Sequence, residues 1–279
     1  MARFASYDGT QIAYRVLGDG PPLVCLPGGP GRAGAYVGDL GGLSQSRQLI
    51  IPDTRGTGES DDASDPGSYR CDRLVDDVEA LRARLGLDRM DLLGHSAAAD
   101  LATLYAAAHP DRVRRLILLT PGMAALGVDD TEEQWRAALA RRSAEPWYDT
   151  AVAALEKAEA GDDSIENRLA YVPFRYSRWD AAAQAHASIG VSDRSGPVRA
   201  VYYSEGAFDP AATRAALGNL TAPVLLYAGE IDIGPAPAAV AAGALLFPDA
   251  TVTVQPAAAH FPWLDDPAFF IAAITAFLG

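Results

Sequence analysis

The chain has 279 residues, enough for one large domain or a domain carrying an insertion. Hydrophobic residues make up 49% and charged residues 21%, the balance of a globular protein and not of a disordered or fibrous one. A formal net charge of −13 argues against a nucleic-acid partner, because proteins that grip phosphate backbones cluster Lys and Arg.

The N-terminal MARFASYDGTQ lacks the apolar core of a signal peptide. No stretch approaches the roughly 18 apolar residues that a membrane span needs. The two cysteines, Cys25 and Cys71, have no metal-ligand spacing, so a reducing, cytoplasmic setting without membrane or metal is the expectation. RFASYDGTQIAYRVLG reads as two strands joined at Asp8-Gly9, a strong hairpin signal. PPLVCLP (21–27) and RQLIIPD (47–53) are short apolar runs bounded by Pro, Gly and Asp, as buried central strands are. Over 69–85, Leu74, Val78, Leu81 and Leu85 share one helical face, with Ser68 as the expected cap and Gly86 as the stop. MDLLG (90–94) predicts a strand, 97–109 an alanine-rich helix and VRRLILLT (113–120) a third buried strand.

After Pro121-Gly122 the alternation stops. Residues 123–217 read as mostly helical and hold Trp135, Trp147 and Trp179. Strand–helix alternation resumes with 222–229, a helix at 236–247, a strand at 250–255 and a closing helix at 267–278. Alternating strands and helices imply an α/β fold with a mostly parallel, doubly wound sheet. The expected organisation is a core of 1–122 and 218–279 with a helical insertion over 123–217.

In LLGHSAAAD (92–100), Ser96 stands between an apolar strand and a helix, with Gly94 and Ala98 two positions either side. A nucleophile elbow needs small residues there, because its strained turn runs close to neighbouring backbone. Ala98 departs from G-x-S-x-G by one methyl, and Ser96 as a plain helix cap is the competing reading. The four histidines help to decide, since a serine nucleophile needs a base. His95 adjoins Ser96 and should point elsewhere; His109 ends the following helix; His186 lies in the insertion, solvated or packed. His260, in QPAAAHFPW, directly follows the last strand, at the sheet edge where functional loops collect. Asp232, just past the preceding strand in LLYAGEIDIG, is the expected orienting acid, with Glu230 a nearby rival. LPGGPGRAG (26–34) offers backbone N–H groups for an oxyanion: Gly29, with Gly28 as alternative, and Ala97 as second donor.

PGGPG (27–31), DTRGTGES (53–60), GHSAA (94–98) and HFPWLDDP (260–267) together resemble the α/β-hydrolase fold over essentially the whole chain. The first two are similar to the prolyl aminopeptidase-like branch. The chain departs from that branch at Pro27, where histidine is usual, and at Ala97, where tryptophan is common. The resemblance implies the order Ser96, Asp232, His260, no cofactor, a cap formed by 123–217, and structural roles for Asp53 and Arg55 beside the oxyanion loop. It implies an acyl-enzyme mechanism on a small ester, amide or short peptide. Esterase, lactonase, thioesterase, acyl transferase, lyase and ligand-binding receptor stand as alternatives on the same fold.

Of the cap aromatics, roughly a third should face a small-molecule substrate, since ligand pockets are mostly apolar. Trp147, Tyr176 and Trp179 are the candidates, with Trp263 either a pocket wall or a packing residue. Glu205, a carboxylate amid aromatics in YYSEGAFD, is the candidate for a substrate ammonium. The pattern carries no signal of oligomeric state.

Overall fold

The computed structural model describes residues 1–162, 164–192 and 195–279. An eight-stranded sheet runs β1 (Ala2–Ala5), β2 (Gln11–Leu17), β4 (Gln48–Pro52), β3 (Pro22–Leu26), β5 (Met90–His95), β6 (Val113–Leu119), β7 (Val224–Gly229), β8 (Ala250–Gln255). The hairpin β1–β2 and the pair β2–β4 are antiparallel, and every later pair is parallel.

The central strands read as unbroken apolar runs because both faces of the sheet are covered. Side chains alternate between the faces with period two. Val24, Leu26, Leu92, Leu116, Leu118, Val224 and Leu226 enter one core with helices α1 (Val75–Arg84), α2 (Ala98–Ala108) and α9 (Pro237–Ala244). Leu23, Cys25, Leu93, Ile117, Leu119, Leu225 and Tyr227 enter the other, closed by Trp263 of α10 (Pro262–Asp265) and by α11 (Pro267–Leu278). The regular part of α1 starts at Val75, after two 3-10 turns. Asp65 caps the first of these, and Ser68 instead accepts a hydrogen bond from Arg55.

Between β6 and β7 lie α3 (Glu132–Ala140), α4 (Tyr148–Glu159), α5 (Ile165–Tyr171), α6 (Ala181–Ser192), α7 (Gly196–Tyr202) and α8 (Pro210–Leu217). Ala138, Leu139, Ala151 and Phe174 form a small core of their own, with Ile233 from the loop after β7. By contrast, Leu217 of α8 joins the apolar cluster of α2, so by packing this last helix lies with the sheet although it falls inside 123–217. Among the described residues no helix is long and apolar enough to cross a membrane.

Candidate active site

At the carboxyl end of β5 the chain reverses through Ser96, whose φ of +55° lies in the left-handed region. For a residue other than glycine that conformation costs on the order of 1–3 kcal/mol, and it persists only where surroundings over-determine it. Here they do: the Ser96 N–H donates to Leu119 O, and Ser96 O accepts from the N–H groups of Ala99 and Gly122, each at 2.9 Å. Glycine is required on both sides of the turn. A Cβ at Gly94 would stand 2.4 Å from Ala98 O, and one at Gly28 would stand 2.4 Å from His95 O and 2.9 Å from Ser96 Cβ. Ala98 itself is buried in the α2 core, where its methyl is accommodated.

The structure brings Ser96, His260 and Asp232 into one line. His260 Nε2 lies 2.9 Å from Ser96 Oγ, and Nδ1 lies 2.7 Å from Asp232 Oδ2. With Nδ1–H donated to the carboxylate, the Nε2 lone pair faces the serine hydroxyl. Asp232 is fully buried. Burial pushes its carboxyl up to about 7, while the Arg175 cation and the N–H groups of Gly234 and Ile233 hold it lower. Glu230 is exposed and accepts from the Ala257 N–H at 2.8 Å.

His95 points away from Ser96 and serves as a tie. A carbonyl oxygen only accepts, so the 3.0 Å contact from His95 Nε2 to His260 O makes Nε2 the donor. Nδ1 then accepts from Tyr36 Oη at 2.7 Å, and Tyr36 Oη in turn accepts from the Gly28 N–H at 2.7 Å. Burial pulls the His95 imidazole well below its usual range, consistent with this neutral tautomer. Gly28 N–H is thus committed, whereas the N–H groups of Gly29 and Ala97 have no acceptor among the described residues. Asp53 anchors the end of the same loop through the Gly34 N–H at 2.7 Å. Arg55, expected beside that loop, instead ties Asp77 on α1 to Asp8 in the first hairpin turn.

A cavity of about 220 Å³ opens on Ser96 and His260. Of the candidate substrate residues only Tyr176 lines it. Trp147 packs edge-on against Phe174 at 4.9 Å, inside the small helical core. Trp179 packs against Tyr176 with the rings tilted at 52° and 5.4 Å apart, and does not line the cavity. Trp263 is a packing residue, buried with its ring 5.0 Å from His95. Glu205 is exposed in the turn after α7 and does not line the cavity. His186 is packed, with Nδ1 2.8 Å from Tyr176 Oη and Nε2 2.9 Å from Tyr36 O.

Sequence reasoning missed the charged wall: Arg32, Arg168, Arg175 and Arg199 all line this cavity. Arginines on amphipathic helices look like solvated faces, and nothing in their spacing marked them. Arg175 Nη1 lies 3.3 Å from His260 Nε2, and Arg175 O accepts from the His260 N–H at 3.2 Å. A second cavity of about 350 Å³ shares Gly29, Ser96, Arg175 and His260 and includes Asp129 and Asp130. Among the described residues no cluster of His, Cys, Asp and Glu could hold a metal ion.

A family profile described as alpha/beta hydrolase fold matches residues 21–267. A proline iminopeptidase of Heyndrickxia coagulans is 32% identical over 125 residues, covering 44% of this chain and 43% of that protein. The chain therefore matches less than half the length of such curated relatives. Among solved structures, an esterase from Exiguobacterium antarcticum superposes with a TM-score of 0.75 at 18% identity, over 99% of this chain and 98% of that one. A proline iminopeptidase of Mycobacterium smegmatis superposes with a TM-score of 0.73 at 22% identity, over 99% and 97%.

Proposed function

Since the chain belongs to the alpha/beta hydrolase fold family, we propose that it is a serine hydrolase that cleaves a small ester, lactone, amide or short peptide through an acyl-enzyme. The observation that carries the reading is the relay from Asp232 through His260 to Ser96, at 2.7 and 2.9 Å, ending on a strained elbow. Ser96 Oγ bonds to the substrate carbonyl carbon as its proton passes to His260 Nε2. The same proton then leaves with the departing alcohol or amine. Water, deprotonated by His260, releases the acid and restores Ser96. Asp232 orients the imidazole and stabilises its positive charge. The N–H groups of Gly29 and Ala97 receive the oxyanion, because Gly28 N–H already donates to Tyr36. The helices before α8 act as a cap, supported by Tyr202 Oη donating to Ala97 O at 2.8 Å across the elbow.

Labelling with a fluorophosphonate tests the nucleophile: the protein should be labelled and Ser96→Ala should not. Equal labelling of both would sink the reading.

A second reading, aminopeptidase, has its own support in Asp129 and Asp130, two carboxylates on the second cavity that also opens on Ser96. An ammonium group needs such partners when buried. Turnover of proline 2-naphthylamide against short-chain nitrophenyl esters separates the two.

A further inference from the structure

The serine mechanism makes no use of the charge around the first cavity. Arg32, Arg168, Arg175 and Arg199 line it, and no Asp or Glu does so among the described residues. Arg32 comes from the loop after β3 and the other three from the helices between β6 and β7.

The packing is shaped around these groups. Arg32 is only 7% exposed, and its guanidinium lies 3.8 Å over the Tyr36 ring. That position exists because residue 190 is glycine, where a Cβ would fall 1.8 Å from Arg32 Nη2. Arg175 makes no ion pair with a described residue; its Nη1 meets Gly234 O at 3.4 Å and His260 Nε2 at 3.3 Å. There it is awkward for catalysis. Its N–H competes with the Ser96 hydroxyl for the Nε2 lone pair, and its charge opposes the imidazolium that must form. An anion bound to Arg175 relieves both effects.

We infer that this cavity receives a carboxylate of the substrate, on Arg175 with Arg32 beside it, so that the preferred substrate is an acidic ester or lactone. The inference deepens the serine-hydrolase reading and rests on it. A planar carboxylate suits the guanidinium fork, which offers parallel donors. Selection is then twofold: an acidic substrate binds Arg175, and in binding it frees His260 to act as base. A neutral substrate of the same shape does neither.

Two esters that differ only in charge test this: mono-4-nitrophenyl adipate and methyl 4-nitrophenyl adipate. The unaltered protein should favour the acid by at least about tenfold in kcat/KM, the effect of one charge-assisted contact. In Arg175→Gln that ratio should fall to near one. Calorimetric titration of Ser96→Ala with adipate and with adipamide gives a readout independent of the chemistry. Adipate should bind at least about tenfold more tightly than adipamide, and Arg175→Gln or Arg32→Gln in that background should remove the difference. Equal rates on the two esters, or adipate binding no tighter than adipamide, would overturn the inference. Hydrolysis that survives in Ser96→Ala would overturn the serine reading instead, and the titration would still decide this one.

Discussion

His95 Nε2 donates to the main-chain carbonyl of His260 at 3.0 Å, so the residue before Ser96 holds the residue whose imidazole meets the Ser96 hydroxyl. The same imidazole accepts from Tyr36 Oη, which accepts from the oxyanion-loop N–H of Gly28. The turn at Ser96, the His260 loop and the glycine loop after β3 are joined by one buried chain of donors and acceptors, with every polarity set by the carbonyl at its end.

Tyr36→Phe removes the middle of that chain and leaves the Gly28 N–H and His95 Nδ1 without a partner in a buried site. The expected loss is about 1–3 kcal/mol of stability, the cost of orphaning buried polar groups. The turnover number should fall as well, because His260 and Gly29 lose their common support. Denaturant melts and saturation kinetics measure the two effects; a variant unchanged in both would refute the coupling.

Removal of the relay should affect turnover far more than stability. Ser96→Ala is expected to lower kcat by several orders of magnitude, and Asp232→Asn by on the order of 10⁴ through the wrong imidazole tautomer. Because burial holds the Asp232 carboxyl near 7, protonation of the Asp232–His260 pair should make kcat/KM fall about tenfold per pH unit on the acid side of neutrality. A flat profile down to pH 5 would contradict this.

Asp100 provides a separate pH effect on stability. It lies under the elbow at the start of α2, fully buried, with Oδ1 accepting from the Ala125 N–H at 2.8 Å and Oδ2 without a hydrogen-bond partner. Burial raises its carboxyl from 3.8 to about 7. The native protein therefore keeps a proton that the unfolded chain has already released between those values. Stability should fall as pH rises through that window and level off above it. Asp100→Asn should narrow the stability difference between pH 5 and pH 8 by about 2–3 kcal/mol, at roughly 1.4 kcal/mol per pH unit. Urea titrations of both proteins at the two pH values check it, and an unchanged difference would show that Asp100 does not hold the proton.

Gly190→Ala should separate binding from folding. The three atoms nearest the added Cβ all belong to the far end of Arg32, so the guanidinium must leave its place over Tyr36. Alanine in helix α6 contributes up to about 1 kcal/mol relative to glycine, so thermal stability should hold or rise. Carboxylate binding should weaken several-fold. If the midpoint holds and adipate binds as before, Arg32 does not contribute to that cavity.

The meeting of Ser96, Asp232 and His260 at one sheet edge was legible in the sequence because each position depends on a local pattern. Ser96 follows an apolar strand with small neighbours, and Asp232 and His260 each follow a later strand. In a parallel sheet the carboxyl ends of all such strands meet at one edge, so strand order alone brings distant residues together. Asp232 and Glu230 stand two positions apart in one loop, and only the fold turns Glu230 outward onto the Ala257 N–H. Gly28 and Gly29 were likewise inseparable until the Tyr36 hydroxyl was seen to occupy one N–H.

The surroundings of the cavity resist the same reasoning. Residue type alone points to Trp147, Trp179, Trp263 and Glu205, and packing puts the three tryptophans into structural clusters and leaves the glutamate exposed. Arg32, Arg168, Arg175 and Arg199 span a long stretch of chain with no shared period, and each alone looks like a solvated charge. By itself the sequence determined the sheet and the places of Ser96, Asp232 and His260 along its strand ends, because backbone hydrogen bonding and side-chain alternation act over a few residues at a time. Only the tertiary structure decided what surrounds Ser96 and His260, because the cavity lining is a set of side chains that meet only when the helices fold over the sheet edge.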